Sequence, residues 1–316
     1  MKQLILIKQS PFIDLAHLYE HLFCARIQEF FYDKHLFERL DYNLDGKMYH
    51  GGVIYIDLEL YTSAAIELAD QIKPLELTID EETLFIAAAQ LLAEKGEPIG
   101  STGYDNVRSA LEDLHDQPWQ NIDDVELVDT KRVRKRTGPF YMAEGKPLPA
   151  RKLTTGVFLD VEFAASNREL LPLFRQFACI ITVNVQNMLG STYGYYSFED
   201  SYKNTKDRVG MTNVFKVANA NDVKVDLPDT IETFLEVVQS LRQYNAFDRY
   251  MSELRAISHY DHPDLAPNPE RNYEDTLMFI GSKGWEKIAT QKNYELLLKH
   301  MSIEVKFGRD KISQPL

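Results

Sequence analysis

Apolar and polar positions alternate along the chain in two periods, and their succession predicts its elements. Residues 2–8 alternate weakly and are rich in Leu and Ile, which predicts a strand. A helix follows, starting within residues 11–14 with Asp14 as its cap and running past Phe31; Leu15, Leu18, Leu22 and Phe23 form its packing face. The polar run Asn43-Leu44-Asp45-Gly46 predicts a turn, and over residues 51–60 apolar side chains return at period two, a half-buried strand. Residues 63–72 read as helix. So do residues 80–95, which open on Asp80-Glu81-Glu82 and stop at Gly96 and Pro98, and residues 100–119 are helical in part. Charge, Gly and Pro dominate residues 124–150, which places a boundary there. Beyond it come a strand (153–163), a long helix (167–188), strands (193–198 and 210–217) and helices from Thr230. Strand, helix, strands, helices thus occurs twice, without a short fixed repeat. The expected class is α+β: two related domains, each a mainly antiparallel sheet with helices packed on one face, over residues 1–130 and 151–316 with a linker at 131–150.

Composition narrows the function classes. A chain of 316 residues, 44% hydrophobic, can bury a core in each of two domains. No apolar stretch is long enough to cross a bilayer, and Leu4-Ile5-Leu6-Ile7, flanked by lysines, is too short for a signal peptide; the expected location is cytoplasmic, with no membrane partner. The two cysteines, Cys24 and Cys179, lie in apolar helical stretches and read as buried free thiols, which suits a reducing compartment. Lys plus Arg number 35 against 48 for Asp plus Glu, and the net charge of −13 repels polyanions, so no nucleic-acid partner is expected. The basic run Lys131-Arg132-Val133-Arg134-Lys135-Arg136 sits between acidic residues and Thr137-Gly138-Pro139 and reads as solvated linker.

The candidate chemistry lies in His17-Leu18-Tyr19-Glu20-His21. Residues four apart on a helix project to the same side, so His17 and His21 can grip one metal ion, and Glu20 stands beside it. Two neutral nitrogen ligands, an ion that acidifies water and a carboxylate able to take a proton are the ingredients of metal-assisted hydrolysis. The order is the reverse of the commoner His-Glu-x-x-His. The rival reading makes both histidines satisfied polar residues at the edge of an apolar helix, with Glu20 pairing to one of them. Other clusters carry less: His259-Tyr260-Asp261-His262-Pro263-Asp264 has no zinc-site spacing, and Gly100-Ser101-Thr102-Gly103 lacks the Lys of a phosphate loop.

The segment from Phe12 to Leu22, with Ala16 before the first His, resembles the Gly-x-Ala-His-x-x-Glu-His segment of the pitrilysin family, which includes insulin-degrading enzyme and the mitochondrial processing peptidases. The resemblance implies one zinc per chain on His17 and His21, Glu20 as general base, and a third ligand, also Glu, on a later helix. Glu94 holds that place by order, and Glu97, beyond Gly96, competes with it. The family has a second Glu one heptad earlier, where this chain has Ala87. Met188-Leu189-Gly190-Ser191-Thr192-Tyr193 is similar to the family's Leu-Gly-x-x-Tyr segment, which implies a substrate contact for Tyr193; the Arg that accompanies it in the family is Gln186 here, and Tyr193 as an ordinary sheet residue is the alternative. The chain is shortened relative to the family, and the likeness is specific only at residues 12–23. It implies a zinc metalloendopeptidase acting on peptides, with dimerisation of like chains one way to enclose them. The alternatives are a non-hydrolysing peptide-binding or scaffold protein of the same fold, and an unrelated α+β protein.

Overall fold

A computed structural model of the protein describes residues 1–49, 51–95, 106–125, 155–164, 170–193, 196–204, 208–217, 227–249 and 290–308. Strand β1 (Lys2–Gln9) pairs antiparallel with β3 (Val53–Leu60), which pairs on its other side with β2 (Tyr42–Tyr49), so β3 is central in a three-stranded sheet. Ile54, Ile56, Leu58 and Leu60 are fully buried, the period-two face read from the sequence. The β2–β3 turn carries Gly51 at φ 86° and Gly52 at φ 73°, and a Cβ on Gly52 would stand 1.7 Å from the Ser10 carbonyl oxygen. Only glycine fits there on both counts.

Helix α1 (Ile13–Tyr32) lays Leu15, Leu18, Tyr19, Phe23, Ile27 and Phe31, each under 2% exposed, into the core it forms with that sheet. At ~1.5–3 kcal/mol for each large apolar side chain removed from water, this face holds the helix in place. Its N-cap is Phe12, with no side-chain cap; Asp14, expected to cap, lies inside the first turn and is buried. After a short helix α2 (Ser63–Glu67), capped by the Thr62 hydroxyl, and a 3-10 turn at Ala69–Gln71, helix α3 (Glu81–Lys95) packs on α1. The buried Ala87 and Ala88 permit that approach, and Asp80 caps α3 by accepting from the Thr83 N–H at 2.8 Å. Helix α4 (Val107–Asp116) is capped at its start by the Asn106 side chain. At its end the Lys8 ammonium, 1% exposed, donates to the carbonyls of Leu114 (3.0 Å), His115 (2.8 Å) and Gln117 and lies 4.6 Å from the Trp119 ring.

The later residues form β4 (Thr155–Ala164), α5 (Leu171–Tyr193), β5 (Tyr196–Asn204), β6 (Arg208–Val217), α6 (Leu227–Gln243), α7 (Gln291–His300) and β7 (Met301–Gly308). All four strands pair antiparallel in the order β5-β6-β4-β7. The strand–helix–strand–strand recurrence is therefore a recurrence of topology: β4, β6 and β5 neighbour one another as β1, β3 and β2 do, with β7 added outside β4. Helix α5 contacts α1, α3 and α6.

Three sequence expectations change. Asn43-Leu44-Asp45-Gly46 is strand rather than turn, because pairing with Glu59, Leu58, Asp57 and Ile56 outweighs the local preference of Asn, Asp and Gly. Tyr193 is the last residue of α5 and not a sheet residue; β5 begins at Tyr196. A strand at Met301–Gly308 was not foreseen. The linker at 131–150, the basic run at 131–136, the cluster at 259–264 and Glu97 lie outside the described residues.

Candidate metal centre

His17 and His21 stand one turn apart on α1, ring centroids 5.0 Å apart, both largely buried on the side turned toward α3. From α3, Glu94 Oε2 lies 3.2 Å from His17 Nε2 and 3.2 Å from His21 Nε2. Glu20 Oε2 lies 3.6 Å and 3.8 Å from the same two nitrogens. One ligand atom from each of His17, Glu20 and His21 falls within 4.8 Å of the others, the one such group among the described residues. The structure thus brings together four residues singled out in the sequence, His17, Glu20, His21 and Glu94.

The donor set fits a metal ion. Ligands ~2.1 Å from a tetrahedral ion stand about 3.4 Å from one another, close to the nitrogen-to-oxygen spacings found here. Gln90, one turn before Glu94, holds its amide oxygen 3.4 Å from His21 Nδ1, where it can accept from an Nδ1–H, while Nε2 is turned to Glu94 at 3.2 Å. His17 Nδ1 is buried without a hydrogen-bond partner among the described residues, so nothing there competes with the direction of its Nε2. Two carboxylates converging on two imidazole nitrogens call for positive charge between them, from protons or from a cation.

The electrostatics of the cluster follow from the same contacts. Burial pushes the His21 pKa down, but the hydrogen bond to Glu94, the charges of Glu20 and Glu94, and the bond to Gln90 raise it above the usual value. For Glu94 burial acts upward, and the hydrogen bonds and charges of His17 and His21 outweigh it, holding its carboxyl well below the usual range.

The group opens on a cleft of about 920 Å³ between α1, β2 and α5. Along α1 the wall continues through Cys24 and Gln28; β2 contributes residues from Leu44 to Tyr49, and α5 contributes Gln186, Asn187 and Gly190. At the far end the Glu38 carboxylate accepts from Gln28 Nε2 (3.2 Å) and Asn187 Nδ2 (2.8 Å). Asn184 Oδ1 accepts from the Glu38 N–H and its Nδ2 donates to the Glu38 carbonyl, each at 3.2 Å, which ties the segment after α1 to α5. Burial raises the Glu38 pKa although the bonds to Asn187 and Gln28 and the charge of Arg39 oppose it. Gln186 lines this cleft; Tyr193 is placed only as the end of α5.

Sequence reading missed Cys24, Gly46 and Gln28 as parts of this wall. A signal was present: Tyr42, Leu44 and Met48 keep period two through the supposed turn, and only Gly46 interrupts it.

No family model matches the chain, and no curated protein matches it. Among solved structures, the periplasmic protease PqqL from Escherichia coli aligns over 96% of this chain and 42% of that one, at 12% sequence identity and a TM-score of 0.28. The chain therefore spans less than half the length of that protein, and so loose a superposition carries no argument about fold or activity. No helix among the described residues is long and apolar enough to cross a membrane.

Proposed function

We propose that the protein is a zinc-dependent peptidase whose metal ligands are His17, His21 and Glu94 and whose general base is Glu20. The observation that carries the reading is the convergence of Glu94 Oε2 on both imidazole Nε2 atoms at 3.2 Å, with Glu20 Oε2 just outside that contact. A zinc ion in this place supplies Lewis acidity, acidifying water beside it and polarising a carbonyl. Glu20 takes the proton of the attacking water on Oε2 and returns it to the departing amine. Gln90 keeps His21 turned to the ion. The substrate is a peptide lying in the cleft along β2, and Tyr193, at the end of α5, contacts it. The reading further takes residues 1–130 as the metal-binding domain, 131–150 as linker and 151–316 as a second, substrate-clamping domain, in a cytoplasmic protein that closes on its peptide as a homodimer. The buried Ala87, where a second Glu would stand, and the neutral Gln186 in the cleft wall favour one second reading, a peptide-binding module that holds zinc and does not hydrolyse.

Hydrolysis of a quenched peptide library by wild type and by Glu20→Gln decides between the two. The peptidase reading expects the variant to keep its zinc and lose ~100-fold or more in kcat. Equal background rates for both proteins would leave the binding module.

A further inference from the structure

The Glu20 carboxylate is treated differently on its two oxygens. Oε2 faces His17 Nε2 and His21 Nε2 at 3.6 and 3.8 Å, whereas Oε1 is turned to β2 and to the next turn of α1. There the Cys24 S–H, four residues on, donates to Oε1 at 3.5 Å. On the remaining side lies the backbone of Gly46. A Cβ at that position would stand 1.9 Å from Glu20 Oε1, 2.9 Å from its Cδ and 2.8 Å from Cys24 Sγ. Gly46 is not among the residues with positive φ, so backbone conformation does not call for glycine here. The approach of the carboxylate does.

We propose that Gly46 is a positioning residue: its bare backbone and the Cys24 thiol form a socket that holds Glu20 Oε1 and leaves Oε2 aimed at the space between the two imidazoles. The role of Glu20 as a base rests on the peptidase reading; the socket rests on packing alone. A free glutamate distributes itself over many rotamers, and a base that must meet one water proton loses rate with each misplaced rotamer. Backing the carboxylate with a strand removes those alternatives before substrate arrives. Any side chain at position 46 displaces Glu20, Cys24 or the strand itself, because the nearest atoms are the Glu20 carboxylate and the Cys24 sulfur that donates to it.

Two measurements on the full chain test this. In the first, Gly46→Ala keeps the zinc content of wild type and a KM within about twofold, while kcat on a quenched peptide falls ~100-fold, the scale of a lost general base. In the second, which needs neither metal nor activity, thermal unfolding of the zinc-free protein shows that Gly46→Ala lowers Tm in the wild-type background and by less than half as much in a Glu20→Ala background. An equal loss of Tm in both backgrounds, or hydrolysis by Gly46→Ala at the wild-type rate, overturns the socket. Should Gly46→Ala alone fail to fold, recovery of a folded protein by adding Glu20→Ala supports the proposal and continued failure overturns it. A wild-type protein that holds zinc and cleaves no peptide sinks the peptidase reading only, and the Tm comparison still decides the socket.

Discussion

Lys8 offers a sharp test of how the half that carries the candidate site is built. Its ammonium is almost fully buried and caps the carbonyl end of α4 through Leu114, His115 and Gln117, with Trp119 against it. Burial pushes its pKa from 10.5 down to about 8, against the opposing pull of the Asp116 charge. Below pH ~8 folded and unfolded chains both carry the proton, so the burial cost is present and constant. Between about 8 and 10.5 the folded chain has released the proton and the unfolded chain has not, so stability rises with pH, by at most ~3 kcal/mol. Replacing Lys8 by Met removes this rise and strands the three carbonyls, at about 1–3 kcal/mol for each acceptor left dry. Urea unfolding of wild type and Lys8→Met, followed by circular dichroism at pH ~7.5, 8.5 and 9.5, reads both effects. The variant is expected to be less stable at the lowest pH, and the gap is expected to widen as pH rises. Groups such as Cys24 and Tyr61, whose pKa values are raised, act alike in both proteins and cancel in the difference. A gap that stays constant across that range would refute the assignment of a deprotonating, buried amine.

His17→Ala is expected to abolish stoichiometric zinc by elemental analysis of the purified protein, since only one imidazole would remain. Glu94→Gln should weaken zinc at least ~10-fold in competition with a chromogenic chelator; unchanged retention would move the third ligand elsewhere. Because His21 holds its proton above the usual pH, zinc affinity should fall steadily from pH ~8 to ~6, with proton release on binding visible in calorimetry in two buffers; a flat profile would separate His21 from the ion. Asn106→Ala removes the side-chain cap of α4 and should cost ~1 kcal/mol in chemical denaturation without altering zinc content.

The site was more legible than its walls. A helical period fixes where residues four apart point, so His17 and His21 could be paired from the sequence, and the same period on α3 put Gln90 and Glu94 on one face. What α3 faces is a matter of packing. Ala87 and Ala88 let it approach α1, and that approach brings Glu94 onto both imidazoles.

The sequence by itself determined the elements with strong periods: the first strand and helix, the strand at 53–60, the helix ending at 95, and the recurrence of their order after residue 150. It also determined the chemistry on offer, since two histidines and a glutamate at that spacing exist before any folding. Tertiary structure decided that residues 43–46 are a strand, because pairing with β3 outweighs the turn preference of Asn, Asp and Gly and leaves only the faint period of Tyr42, Leu44 and Met48 to be read locally. It decided that Gly46 backs Glu20 and that α5 is tied to Glu38 through Asn184 and Asn187, contacts between residues far apart in the chain that no local period encodes.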